Sequence, residues 1–417
     1  MLELEKISPS VHTLDNGICV YGYPDDTADL IRIEFIFNAG GRYAENPLVS
    51  QACVSLLTKG THNKTGGQVA EEFDYYGAYT DKLSDKDTIS FTVHSLSRNL
   101  DTLIDLCAEI FVHSVFSQNE IDIYLQKNYQ KFLISKQKVS DVSRRQLLKK
   151  IFGDKHPYGV CTTDEDFKTL RREDLLDFYG KRIVSGLSAI VIAGTYNEKI
   201  IKKLNALFGT GNFNRNGIIS EGADYPQNTD TAPLEPHFIS MPSSVQTSLR
   251  MGMLSPIPAV RDEFYPLKTL DFIFGGYFGS RLSKNIREEK GYTYGISSYI
   301  ISMRSTGLWQ ISSEIKKGAA EKVLKEIEKE KEKLCNDLIS EKELTLVKNC
   351  FWGEMLRTVD SVFDKAERKR FLVNMSIDET HYKILWETVN STTPATVRDT
   401  AQKYFSADNF VKIIVGE

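Results

Sequence analysis

Phe272-Ile-Phe-Gly-Gly-Tyr-Phe-Gly-Ser-Arg-Leu-Ser-Lys-Asn-Ile-Arg-Glu-Glu-Lys-Gly-Tyr-Thr-Tyr-Gly295 sets how the rest of the chain is read. An apolar helix end runs into Gly275, Gly276 and Gly279, a basic amphipathic helix follows at 281–290, and Gly291-Tyr-Thr-Tyr294 opens a strand. Arg287 and Tyr294 stand seven residues apart across that helix-to-strand junction. The three glycines lie in no βαβ setting and fail the dinucleotide fingerprint, so they predict a helix stop and a turn.

Outward from this stretch, strands are predicted at 237–241 and 246–254 and a helix at 264–274. Downstream come a hairpin at 292–303 and 306–315, helices at 319–335 and 340–356, a helix at 394–404 and a strand at 410–415. The first half repeats that order. It offers strands at 12–23 and 30–39, helices at 47–57 and 67–76, a strand within 79–96, and helices at 99–112, 117–135, 144–152 and 172–182. A strand at 187–194 and a helix at 197–207 complete it. Phe116-Ser-Gln-Asn-Glu-Ile and Ile339-Ser-Glu-Lys-Glu-Leu are matching capped starts to a long helix. The repeated order predicts an α+β chain of two similar lobes, each a mainly antiparallel sheet with helices packed on one face. Residues 211–236, rich in Gly, Pro, Asn and Thr, are the predicted linker between lobes 1–210 and 237–417.

At 417 residues the chain exceeds one small core. Its 52 basic and 56 acidic residues leave a net charge of −4, which gives nucleic acid no footing. No apolar run is long enough to span a membrane, and Glu3, Glu5, Lys6 and Asp15 interrupt any secretory h-region, so a cytoplasmic protein is expected. The six cysteines are dispersed without a Cys-x-x-Cys and predict reduced thiols. Of seven histidines, no two lie three or four residues apart, and neither a Gly-x-Ser-x-Gly elbow nor a P-loop occurs.

The whole chain resembles the M16 (pitrilysin/insulinase-like) zinc peptidases. Leu14-Asp-Asn-Gly-Ile-Cys-Val is similar to the family's opening strand, and Phe37-Asn-Ala-Gly-Gly-Arg-Tyr-Ala-Glu to the block after it. The family's zinc helix carries His-x-x-Glu-His and ends in Lys-Gly-Thr; here it reads Leu48-Val-Ser-Gln-Ala-Cys-Val-Ser-Leu-Leu-Thr-Lys-Gly-Thr. Registered on Lys59-Gly60-Thr61, Gln51 takes the first His position, Val54 the Glu and Ser55 the second His. The family's third ligand, a Glu on a later helix, falls near Phe132 or Lys131. Zinc takes imidazole, thiolate or carboxylate ligands, and Val54 cannot serve as a general base. No metal is therefore expected in this chain.

In the same resemblance Arg287 and Tyr294 hold substrate backbone carbonyls near the scissile bond, the Arg through its fixed fork of donors and the Tyr through a rigid hydroxyl. The plain alternative pairs Arg287 with Glu288 or Glu289. Gly275, Gly276 and Gly279 resemble a short form of the glycine-rich loop in the non-catalytic subunit of mitochondrial processing peptidase, a role ranked behind that of a turn. The resemblance implies a catalytically inactive subunit of a heteromeric M16 peptidase. Such a subunit helps form a chamber and supplies Arg287 and Tyr294 in trans to a zinc-bearing paralogue that acts on peptides. A scaffold subunit like those of the respiratory bc1 complex, a protein that binds peptides without cutting them, and a homodimer remain open.

Overall fold

Period-2 alternation and helical apolar stripes set the elements of the computed structural model, which describes residues 8–27, 29–211, 213, 235–406 and 409–417. The first half runs β1 (Ser10–Thr13), β2 (Cys19–Pro24), β3 (Ile31–Phe37), α1 (Val49–Leu56), α2 (Gly66–Tyr75), β4 (Tyr79–Ser84), β5 (Ile89–Ser95), α3 (Leu100–His113), α4 (Gln118–Ser135), α5 (Val139–Phe152), α6 (Asp164–Thr169), α7 (Arg172–Phe178), β6 (Leu187–Gly194) and α8 (Glu198–Phe208). The second runs β7 (His237–Ile239), β8 (Gln246–Ser255), α9 (Arg261–Asp271), β9 (Thr293–Ser302), β10 (Gly307–Lys316), α10 (Ala320–Asn336), α11 (Glu341–Arg357), α12 (Val362–Met375), α13 (Thr380–Ser391), α14 (Pro394–Phe405) and β11 (Val411–Val415). The chain is α+β, as its order of elements implies. The predicted linker 211–236 lies outside the described residues except at 211, 213, 235 and 236.

Strand order carries the repeat. One sheet runs β1-β2-β6-β3-β5-β4 and the other β7-β11-β8-β10-β9. Setting β2 on β7, β6 on β11, β3 on β8, β5 on β10 and β4 on β9 makes the two orders coincide, with β1 added to the first. Each sheet holds one parallel pair, β2–β6 or β7–β11, and its other pairs are antiparallel. The long helices α4 and α11 fall at equivalent places in the two series.

The compact units cross the halves of the sequence. One draws on Met1–Gln130, Thr162–Ala223 and Thr358–Ser376, the other on Lys131–Cys161, Asp224–Arg357 and Ile377–Glu417. In the first, Ile31, Ile33, Phe35 and Phe37 of β3 enter the main core with Phe91, Phe111 and Phe208. Simple alternation would leave Arg32, Glu34 and Ile36 facing water, yet all seven residues of β3 are buried. The second face is covered by α12: Ile36, Tyr23, Val191 and Ala193 close over Ala366, and Lys369 Nζ lies 3.8 Å from the Tyr21 ring centre. In the other unit α5 occupies the corresponding face. Leu147, Ile151 and Phe152 pack with Leu308, Val411, Ile413 and Val415, and Ser143 Oγ accepts from Arg250 Nε at 3.1 Å. Burial of both faces is the physical departure from helices packed on one face only.

Under α12 the charges form a buried network. Arg32 donates to Glu34 Oε2 at 2.7 Å, to Glu367 Oε1 at 2.6 Å and to the Phe363 carbonyl at 3.2 Å. Arg370 Nε stands 3.7 Å from Glu34 Oε1. Burial pushes the Glu34 carboxyl above the usual carboxylate range, although Arg32 and Arg370 pull it back.

Candidate functional site

The helix α1 begins after Leu48 and buries Val49, Ala52, Cys53, Val54 and Leu56, so its apolar side is spent on the core. Gln51, Ser55 and Thr58, at i, i+4 and i+7, fall on the opposite stripe. Gln51 Nε2 donates to Ser55 Oγ at 3.2 Å, and Ser55 Oγ donates back to the Gln51 carbonyl at 2.7 Å. Val54 is fully buried. An amide and a hydroxyl bonded to each other, beside a valine sealed in the core, do not make a zinc donor set. Among the described residues no group of three or more His, Cys, Asp and Glu side chains is gathered to hold a metal.

Tyr124, on α4, comes close to Ser55, and burial pushes its phenol up to about 12. Phe132 is elsewhere occupied: the Arg145 guanidinium stacks 4.9 Å from its ring centre.

The second candidate group is held by α10 and α11. Asn285 donates to Glu330 Oε1 at 2.8 Å and to Glu326 Oε2 at 3.1 Å, and Arg281 forks onto both oxygens of Glu343 at 2.9 Å. These bonds fix the wide helical turn Ser283–Glu289 that carries Arg287. Within α10, Glu330 and Lys331 are buried, and the ion pairs of the helix run i, i+3. Beneath the turn, Asp271 Oδ1 accepts from Ser298 at 2.6 Å and from the Trp309 indole at 2.8 Å.

Tyr294 and Arg287 differ in availability. Tyr294 is 95% exposed. It owes this to a bulge: Ser313 pairs with Ile296 and Ile315 with Thr293, so Tyr294 and Gly295 together oppose Glu314. Thr293 Oγ1 locks the bulge by donating to the Glu314 carbonyl at 2.7 Å and accepting from Gly295 N at 3.1 Å. Arg287 is engaged. Its guanidinium stacks 3.5 Å from the centre of the Phe278 ring, pairs with Glu288 at 2.5 Å and reaches the Phe278 carbonyl at 3.4 Å. Pairing with Glu288, the plain alternative at this residue, is what the structure contains. Phe278 itself is 76% exposed.

The glycines follow from close packing more than from a left-handed helix cap. A Cβ on Gly275 would sit 2.5 Å from Ser298 Cβ. None of Gly275, Gly276 and Gly279 has a positive φ, and the residue after the turn Phe272–Gly276, Tyr277, is extended.

Sequence reasoning missed Tyr124, Phe278 and Lys82. The alternation of Tyr79-Thr-Asp-Lys-Leu-Ser puts Lys82 on one side of β4 with Thr80 and Ser84, and that pattern was the available signal. Lys82 Nζ donates to Thr58 Oγ1 at the end of the α1 stripe.

Residues 23–159 match the family model described as Insulinase (Peptidase family M16), and residues 169–350 the model described as Peptidase M16 inactive domain. A Rickettsia felis protein named an uncharacterized zinc protease is 24% identical over 368 residues, covering 86% of this chain and 85% of that protein. The uncharacterized zinc protease YmxG of Bacillus subtilis is 22% identical, covering 86% of each. Among solved structures, a peptidase M16 inactive domain from Pseudomonas fluorescens superposes with a TM-score of 0.83 at 21% identity over 98% of both chains. A protease from Helicobacter pylori superposes at 0.88 and 16% identity, covering 98% of this chain and 100% of that one. At these identities the structural likeness speaks to the fold.

Proposed function

The chain belongs to the M16 peptidase family, and on that premise we propose that it is a catalytically silent subunit. It presents Tyr294 and Arg287 to peptides held with a zinc-bearing M16 paralogue. The observation that carries this reading is the α1 stripe. The helix and its Lys-Gly-Thr end are intact, while Gln51, Val54 and Ser55 offer no imidazole or carboxylate. A fully exposed tyrosine hydroxyl on a locked bulge supports a role in holding a carbonyl. Six free thiols suit a reducing, cytoplasmic setting, and no described helix is long and apolar enough to cross a membrane.

The test begins with the isolated chain. It is expected to bind no stoichiometric zinc by metal analysis and to leave fluorogenic peptides uncut. Co-purified from its host with an M16 paralogue that carries His-x-x-Glu-His, it should form a zinc-containing, peptide-cleaving complex. Zinc seated on the 51–55 helix, or turnover by the chain alone, would overturn the reading. The engaged state of Arg287 favours a second reading, a scaffold with no hand in proteolysis; in that case the complex would turn over equally well with Arg287 and Tyr294 replaced.

A further inference from the structure

We infer that the α1 stripe is a receptor for a peptide carboxylate, with the Lys82 ammonium as its charged centre; this rests on the reading that the chain holds peptides. β4 presents Lys82 opposite Phe91, its cross-strand partner, and the Nζ lies 5.9 Å from that ring's centre. The ammonium donates to Thr58 Oγ1, and its remaining N–H bonds have no carboxylate to meet. No ion pair involves Lys82 or the following cation, Lys59, among the described residues. The acids flanking Lys82 in sequence are committed elsewhere. Asp81 interacts with Tyr79 and lies 3.5 Å from His94, and Asp85 caps the backbone of Asp87 and Thr88.

A partly buried cation without an anion is an expensive arrangement, and the Lys82 amine responds accordingly. Desolvation, helped by the charge of Lys59, lowers it to about 8. Beside it the stripe offers further neutral donors: the second N–H of the Gln51 amide and the Thr58 hydroxyl, which accepts from Lys82 and keeps its own O–H. A carboxylate suits this set. It restores the missing counter-charge, raises the protonated fraction of Lys82, and accepts from the hydroxyl and amide donors around it. A neutral peptide carbonyl supplies only the last of these. The carboxylate can come from the C-terminus of a peptide or from an Asp or Glu side chain.

The experiment is fluorescence anisotropy on the full chain with labelled, unstructured peptides in four forms: acidic side chains or their amides, each with a free or an amidated C-terminus. At pH 7 the wild type is expected to bind the carboxylate-bearing forms about tenfold tighter or more than the fully amidated one, the scale of a charge-assisted hydrogen bond. Which form gains identifies the source. Lys82→Met, whose folding is checked by its thermal transition, should bind all forms alike at the affinity of the neutral peptide. Lys82→Arg should keep the preference. Equal binding of every form by the wild type, or a preference that survives in Lys82→Met, overturns the receptor while leaving peptide holding intact. Failure of every form to bind overturns the peptide-holding premise and the receptor with it.

Discussion

Arg32→Leu is expected to lower the unfolding free energy by about 3–5 kcal/mol, the cost of removing one partner from a buried ion pair. Glu34, on the same strand face, is fully buried and takes its shortest bond from Arg32. Without it the carboxylate keeps only Arg370, at 3.7 Å. Glu34→Gln is expected to cost far less, about 1 kcal/mol or below. It leaves Arg32 paired to Glu367 and supplies a carbonyl in place of a carboxylate that burial already disfavours. The pH dependence has a definite sign. Burial raises the Glu34 pKa in the folded state, so its protonated form contributes stability below the unfolded pKa, and that contribution is lost as pH rises through the folded pKa. The deficit of Arg32→Leu should therefore shrink from neutral toward mildly acidic pH. Urea denaturation at several pH values measures both effects; equal costs for the two substitutions would refute the asymmetry.

In a reconstituted complex, Tyr294→Phe is expected to reduce kcat/KM by about 30- to 900-fold, equivalent to about 2–4 kcal/mol for one lost donor to a developing negative charge. The hydroxyl makes no contribution to the core, being on a residue 95% exposed, so folding and assembly should be unchanged. Arg287→Lys should also impair turnover, for two reasons. An ammonium lacks the planar fork, and it loses the flat stacking on Phe278 that now fixes the side chain. Steady-state kinetics with a fluorogenic peptide decides the matter. Wild-type rates from both variants would make the chain a scaffold.

Element order was legible in the sequence because each half spells out strands, a long capped helix and a closing strand in the same succession. Phe116-Ser-Gln-Asn-Glu-Ile and Ile339-Ser-Glu-Lys-Glu-Leu do mark the starts of α4 and α11. The helices α12 and α13 were not anticipated, although Ser361 and Asp364 form a capping box at the head of α12. Its charged residues suggest a solvated segment, and its burial depends on Arg32 and Glu34, more than 300 residues away. Local pattern cannot reveal such a partner. For the same reason Ile31-Arg-Ile-Glu-Phe-Ile-Phe looks half-solvated but has two buried faces. At the site, Gln51 and Ser55 are neighbours one turn apart on α1, as an i, i+4 pair on a helix must be. Counting across the loops between α1 and α4 could not identify Tyr124, and a β-bulge such as the one presenting Tyr294 leaves little trace beyond Gly295.

The placement of α12 constrains the order of events during synthesis. The first sheet has all its strands once β6 ends at Gly194, but its covering helix ends at Met375, 181 residues later by subtraction. At ~5–20 residues per second a ribosome needs on the order of ten to forty seconds to bridge that gap. Throughout it, Ile36, Val191 and Ala193, which are buried against Ala366 in the finished protein, lack that cover. The face that α12 covers is therefore expected to close only after the chain has been made through Met375.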